Sequence, residues 1–232
     1  MLSRPFFTAY LIASLLAGAP LTSAIAEPAE EAAGAGSAET GQILDFPAQD
    51  AAALTARLDG LETFAASFIQ AIAGNRGQIL EQSTGYVLLD RPNFKWVVDD
   101  PYPQVIVTEG DSLKVYDPDL EQLTVRPLAD AITDTPISLL TSAQLDLGEK
   151  FQIVRLPLSE EGIDSYVVSP RGEETLFAEI RLTFSTAGLD SLGIVDHLGQ
   201  YTEIRFQVDP DRVIQSADFV LDVPPETDVI GG

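Results

Sequence analysis

GYVLLDRPNFKW, residues 85–96, places one arginine, one proline and the chain's single tryptophan inside one alternating segment. Tyr86 and Leu88 before the break, and Phe94 and Trp96 after it, recur at every second position, the period of a strand with one face buried. Pro92 lacks the amide that a central ladder needs, so the segment reads as two strands joined across residues 90–93. Arg91 therefore sits where a strand ends. Phe94 and Trp96 share a parity opposite to Lys95 and point the same way, which places both in a core or along a pocket.

Upstream, the chain opens with a short basic region at Arg4, an apolar run of 14 residues from Phe6 to Ala19, and the small-residue site Ala24-Ile25-Ala26. That order reads as a cleavable signal peptide over residues 1–26, and the apolar run is shorter than the roughly 20 residues that span a bilayer. Export to the periplasm is the expectation. The chain has no cysteine, which excludes disulfides, thiolate metal sites, a cysteine nucleophile and the lipid-bearing cysteine of a mature lipoprotein. It carries 13 Lys+Arg against 36 Asp+Glu, and removing Arg4 with the signal peptide takes the formal charge from −23 to −24. Phosphate backbones are bound by several Lys or Arg contacts, so nucleic acid is not an expected partner. Such a charge favours a soluble monomer.

Residues 27–49 are rich in Ala, Glu, Gly and Pro, the composition of a disordered acidic leader. Asp50 then offers an N-cap, and Leu54, Leu58 and Leu61 fall on one face of an amphipathic helix. Beyond Gly60 the period changes to two. Strands are expected over 64–73, 79–89, 94–98, 104–108, 113–116 and 122–126, separated by turn chemistry at Gly74–Gly77, Glu109-Gly110-Asp111-Ser112 and Asp117-Pro118-Asp119. Thr135-Pro136 is an N-cap followed by a first-turn proline, opening a short helix through Ile137, Leu139 and Leu140. A second run of strands is expected over 151–156, 165–169, 176–184, 193–197, 201–208 and 218–223. The fold class is mainly β with short helices: about ten to eleven antiparallel strands in a strongly curved, open half-barrel covered by a helical lid, as one domain over residues 50–232.

Several ordered segments resemble the LolA family of periplasmic carriers that take lipoproteins from the inner to the outer membrane of Gram-negative bacteria. They are Phe64-x-x-x-Phe68-x-Gln70, the block from Gly85 to Trp96, Thr135-Pro136-x-x-Leu139-Leu140, and Asp196-x-x-Gly199-Gln200-x-Thr202-x-Ile204-x-Phe206. The ending Phe219-x-Leu221-x-Val223-Pro224, leading to Asp228-Val229-Ile230, completes the set. The resemblance implies a half-barrel whose apolar interior receives the acyl chains of lipoproteins. It implies loading from an inner-membrane lipoprotein-releasing ABC transporter and delivery to an outer-membrane LolB-type acceptor. Arg91 is implied to latch the lid through its backbone in the closed, unloaded state. Phe68, Phe94, Trp96, Leu139 and Leu140 are the candidate residues lining the cavity. A LolB-like acceptor or an RseB-like lipid sensor would keep the fold and change the task; the missing lipid-bearing cysteine disfavours the first and the one-domain length the second.

Catalysis finds little support in the residues. The lone His197 follows Asp196, but there is no Gly-x-Ser-x-Gly elbow and no metal-ligand spacing. Asp117-Pro118-Asp119 and Asp209-Pro210-Asp211 do not continue into a calcium loop and are natural turns. No cofactor, metal or catalytic residue is expected, and the chain reads as a binding protein rather than an enzyme.

Overall fold

The computed structural model describes residues 46–129, 136–141, 147–159, 162–172, 175 and 177–231. The expected signal peptide, the expected leader as far as residue 45 and the expected Thr135 cap lie outside the described residues. One sheet of twelve strands organises the chain. Its first half is a meander: β1 (Thr63–Ala73), β2 (Ile79–Asp90), β3 (Asn93–Asp100), β4 (Gln104–Glu109), β5 (Ser112–Asp117) and β6 (Gln122–Pro127). The second half is β7 (Phe151–Arg155), β8 (Asp164–Pro170), β9 (Glu179–Ser185), β10 (Gly188–Val195) and β11 (Tyr201–Val208), followed by β12 (Asp228–Ile230). In space the order is β12-β6-β5-β4-β3-β2-β1-β11-β10-β9-β8-β7, so β1 and β11 join the two meanders antiparallel at the centre of an open sheet.

Three helices lie wholly within the described residues: α1 (Phe46–Asp59), α2 (Pro136–Thr141) and α3 (Leu147–Lys150). Side chains from α1, α2, α3 and from β1–β5 and β7–β11 form a single buried cluster on one face of the sheet. Strands that far apart in the order share one core only if the sheet curls around it, so this face is concave and the helices fill it. Leu54 and Leu58 are buried there, as the helical spacing requires, while Leu61, read as part of the same helical stripe, is buried just beyond the helix end at Asp59.

The opposite, convex face carries a smaller cluster. Ala65, Leu88 and Val107, which have the other parity, pack under Phe219, with Tyr86, Ile214 and Leu221 against them. A 3-10 turn at Ser216–Phe219 straps this segment across the back of the sheet, held by Lys95 Nζ donating to Asp218 O (2.7 Å) and Arg212 Nη2 donating to Asp218 Oδ1 (2.7 Å).

Four expectations are corrected. The strand expected at 218–223 is this strap: its alternation is real, but it lies on the face of strands that already have ladder partners on both sides, so no edge is free to pair with it. The twelfth strand is instead Asp228–Ile230, which pairs parallel with β6, so the sheet is not wholly antiparallel and exceeds the ten or eleven strands counted. Helix α1 begins at Phe46, inside the stretch read as leader. Pro47 suits a first helical turn, where its missing amide is not needed. Asp50, no longer a cap, accepts the Arg155 N–H at 2.9 Å. Finally, β9 starts at Glu179 and β10 at Gly188, where a bulge at Leu189/Ser191 breaks the alternation that would have marked its beginning.

Candidate functional site: an aromatic face under pinned helices

The opening stretch folds as a hairpin in which Asp90 pairs with Asn93, leaving Arg91 and Pro92 as the two-residue turn. Across it, Leu89 pairs with Phe94 and Val87 with Trp96, all on the concave side. Phe68 on β1 stacks on Trp96 with ring centroids 4.0 Å apart, and Phe94 lies parallel to Trp96 at 6.5 Å. Phe206 meets Trp96 edge-on at 6.3 Å, and Phe64 meets Phe206 edge-on at 5.6 Å. Five aromatic rings thus tile the centre of the concave face in the offset and edge-to-face arrangements that ring quadrupoles favour.

The room for this tiling comes from Gly85. It sits at a register shift in β2 opposite Val98, and a Cβ there would collide with the carbonyl of Val97 and lie 2.8 Å from Phe68 Cζ. No larger residue fits beneath the Phe68 ring in this backbone.

Arg91 leaves the hairpin turn toward the helices. Its Nε donates to Leu140 O at 2.9 Å and its Nη2 donates to Leu58 O at 2.7 Å, while Nη1 lies 4.0 Å from Asp59 Oδ1. Both acceptors fall in the last turn of a helix, α1 or α2, where carbonyls have no partner within the helix. A cation there also meets the negative end of each helix dipole. One guanidinium therefore closes the C-terminal ends of both covering helices, a task its planar fork suits and an ammonium does not. The Arg91 side chain is only 9% exposed. Burial lowers its pKa from the ordinary arginine value, and the nearby Asp59 and Glu62 charges oppose that shift. Arginine stays charged throughout the usable pH range all the same.

A second fastening holds the other side of α1. Asp164 on β8, 1% exposed, accepts Arg57 Nε of α1 at 2.9 Å, Arg155 Nε of β7 at 2.7 Å and the Tyr166 hydroxyl at 3.0 Å. Burial pushes the Asp164 carboxyl up, but the hydrogen bonds from Arg155, Arg57 and Tyr166 prevail and its pKa is lowered. A depressed folded pKa contributes stability that is present above the unfolded value of about 3.9 and is lost as pH falls through the folded value. Asp164→Asn is expected to lower stability at pH 7 by about 1–3 kcal/mol, or Tm by roughly 5 °C. The loss is held down because Arg57 and Arg155 are 43% and 42% exposed and can turn to water. Thermal unfolding of both proteins from pH 7 to pH 2.5 checks it: the gap between them should narrow below about pH 4. A constant gap would mean that the Asp164 charge contributes nothing.

All six candidates read from the sequence meet in this one place. Phe68, Phe94, Trp96, Leu139 and Leu140 are buried in the same cluster, and Arg91 holds the helix that carries both leucines. Phe64, Phe206, Leu54 and Leu58 belong with them, and parity or helical spacing places each on the same face. Arg57 and Asp164 carried no signal, since they lie 107 residues apart and only the fold pairs them. His197 lies elsewhere: its Nε2 is 2.8 Å from Thr175 O, and the neighbouring Asp196 carboxylate accepts the Leu198 and Gln200 amides of its own turn. Among the described residues no helix is long and apolar enough to cross a membrane.

An open β half-barrel with helices seated in a buried aromatic trough is the class that this geometry defines. The model of the family described as outer membrane lipoprotein carrier protein LolA matches residues 59–219, and the chain belongs to that family. The outer-membrane lipoprotein carrier protein of Chromohalobacter salexigens is 36% identical over 179 residues, covering 76% of this chain and 84% of that protein. Its counterpart in Hahella chejuensis is 35% identical over 180 residues, covering 77% and 86% respectively.

Proposed function

We propose that this protein is a periplasmic carrier that binds the acyl chains of lipoproteins against the concave aromatic face, in the place now filled by its own helices. The observation that carries this reading is the kind of cover the face has. Leu54, Leu58, Leu139 and Leu140 lie in the buried cluster with the five rings, and the α1 and α2 ends beside them are held to the sheet by Arg91 through carbonyl oxygens. Leucine and a fatty acyl chain present the same chemistry to an aromatic wall. The bonds to Arg91 can break without leaving a charged partner stranded on the helices.

Magnitudes explain why a cover is useful. Each buried methylene contributes about 0.8 kcal/mol, so a chain with about 14 methylenes gains about 11 kcal/mol when fully buried, and two or three chains would be held irreversibly. Four leucines contribute about 1.5–3 kcal/mol each on burial, roughly one chain's worth, and cargo must displace them. The closed state thereby subtracts from cargo affinity, and release to an acceptor needs no nucleotide at the carrier. In this reading cargo arrives from an inner-membrane ABC transporter and leaves to a LolB-type acceptor, and Arg91 is the latch of the unloaded form.

Purification of the mature protein from periplasm, followed by mass spectrometry of what comes with it, tests the reading. Acylated lipoproteins are the expected companions, lost when Trp96 is replaced by Asp. Companions that are unacylated, or unaffected by that substitution, would overturn it.

A further inference from the structure

On the convex face the C-terminal strap does not lie flat. The Asp209-Pro210-Asp211 turn closes on itself, with Asp209 Oδ1 accepting the Asp211 N–H at 3.2 Å and Asp209 O accepting the Arg212 N–H at 3.4 Å. It carries the chain off the end of β11, and contact with the sheet resumes at Ile214 and Phe219. Ala65 and Ser67 of β1 contribute little bulk beside this turn, and an open cleft of about 570 Å³ remains there. A second hollow of about 300 Å³ shares Ala65, Val208 and the turn with it. Clefts of roughly 300–1,000 Å³ with an apolar floor and a few placed polar groups are where small molecules bind.

The hydrogen bonds already made in the cleft define what it lacks. Its carboxylates are engaged: Asp218 Oδ1 accepts Arg212 Nη2 at 2.7 Å, Asp218 Oδ2 accepts the Gln215 N–H at 2.8 Å, and Asp209 serves its own turn. Its donors are in surplus. Lys95 and Arg212 each carry more N–H bonds than the one given to Asp218, and the Ser67 and Tyr86 hydroxyls and the Gln207 side-chain amide bond to nothing among the described residues. Burial pushes the Tyr86 pKa up and the charge of Asp99 adds to the shift, so this hydroxyl keeps its proton. Lys95, half-buried, gives its ammonium to the Asp218 carbonyl at 2.7 Å and has no ion-pair partner among the described residues, since the Asp218 carboxylate belongs to Arg212. The cleft is therefore rich in donors and holds one cation without a counter-charge, which calls for an anionic acceptor.

We propose that this cleft binds a small monocarboxylate with an apolar body, at a site separate from the trough and independent of the carrier reading. The carboxylate accepts from Lys95 Nζ, Arg212 and the Tyr86 hydroxyl, and the body lies over Ala65, Leu88 and Val208. One negative charge answers the one cation that lacks a partner. A doubly charged phosphate would be repelled more strongly by Asp209 and Asp218, which border the same cleft. Free organic acids and the C-terminal residue of a short peptide both present this chemistry.

Amide chemical shifts of the isotope-labelled protein, followed during titration with hexanoate, test the site. Hexanoate is expected to move the Ser67, Tyr86 and Gln207 signals saturably, and hexanamide to bind about tenfold more weakly because it loses the hydrogen bonds to charged donors their charge. Lys95→Gln, and Ser67→Leu, which fills the cleft from an exposed position that makes no hydrogen bond, should each weaken hexanoate binding about tenfold; thermal unfolding checks that both fold. A tripeptide ending in valine, with its C-terminus free or amidated, separates the sources. Tighter binding of the free form than of hexanoate supports the site as one for chain termini, and weaker binding supports it as one for free acids. No saturable shift, shifts confined to Phe68 and Trp96 in the trough, equal binding of hexanoate and hexanamide, or tighter binding of inorganic phosphate would overturn the proposal. Wild-type affinity in the folded Ser67→Leu variant would overturn it as well.

Discussion

Arg91→Leu is expected to free the C-terminal ends of α1 and α2 from the sheet. Two hydrogen bonds to a charged donor are lost, each contributing about 1.5–3 kcal/mol, and part of that returns through burial of the leucine, leaving the closed state weaker by about 2–4 kcal/mol. Amide hydrogen exchange in both helices should then quicken by roughly 30- to 1,000-fold, since each 1.4 kcal/mol is about tenfold in the opening equilibrium, while exchange in β1 and β11 stays slow. Cargo has less cover to displace, so its apparent affinity rises and its transfer to an acceptor slows. Arg91→Lys keeps the charge but not the fork and should fall between the two. Unchanged exchange in α1 and α2 with normal transfer would remove Arg91 from the closing mechanism.

Gly85→Ala is expected to be the most destabilising small change in the hairpin. The added methyl collides with the Val97 carbonyl and meets Phe68 Cζ at 2.8 Å. Relief requires moving either the β3 backbone or a ring stacked on Trp96. Overpacking of this kind costs typically 1–3 kcal/mol, and the backbone clash places this case at about 3 kcal/mol or above. Urea unfolding followed by the fluorescence of the single tryptophan checks it. The midpoint should fall markedly, and the folded-state emission should change because the indole's nearest neighbour has shifted. A midpoint within error of the wild type would mean that the bulge at Gly85 yields freely.

Much of this was legible in the order of residues because the physics that builds it is local. Alternation in 85–96 placed Phe94 and Trp96 on one face, and the spacing of Leu54 and Leu58 gave the buried stripe of α1, with Leu61 buried just past the helix end. Proline barred a continuous strand and so exposed Arg91 at a turn. Composition could not show which carbonyls Arg91 would meet, because Leu58 and Leu140 lie 33 and 49 residues away and only the curvature of the sheet brings them together. The Asp164 cluster was hidden for the same reason. The C-terminal strap misled for a different one: Phe219 and Leu221 alternate because one side packs on a sheet, and a segment lying on a face alternates as a strand at an edge does. Parallel pairing of Asp228–Ile230 with β6 was equally out of reach, since three residues carry no period and the free edge exists only once the sheet is built.

The chain contains a single tryptophan, and it stands at the centre of the trough. Trp96 fluorescence can therefore be followed while the protein is loaded with a lipopeptide whose acyl chains carry bromine, a quencher that acts only at contact, alongside the same lipopeptide without bromine. If acyl chains replace the helical leucines on the aromatic face, the brominated cargo quenches Trp96 strongly and the plain cargo does not. Equal emission from the two complexes, with binding verified separately, would mean that cargo sits somewhere other than beneath the helices that Arg91 pins.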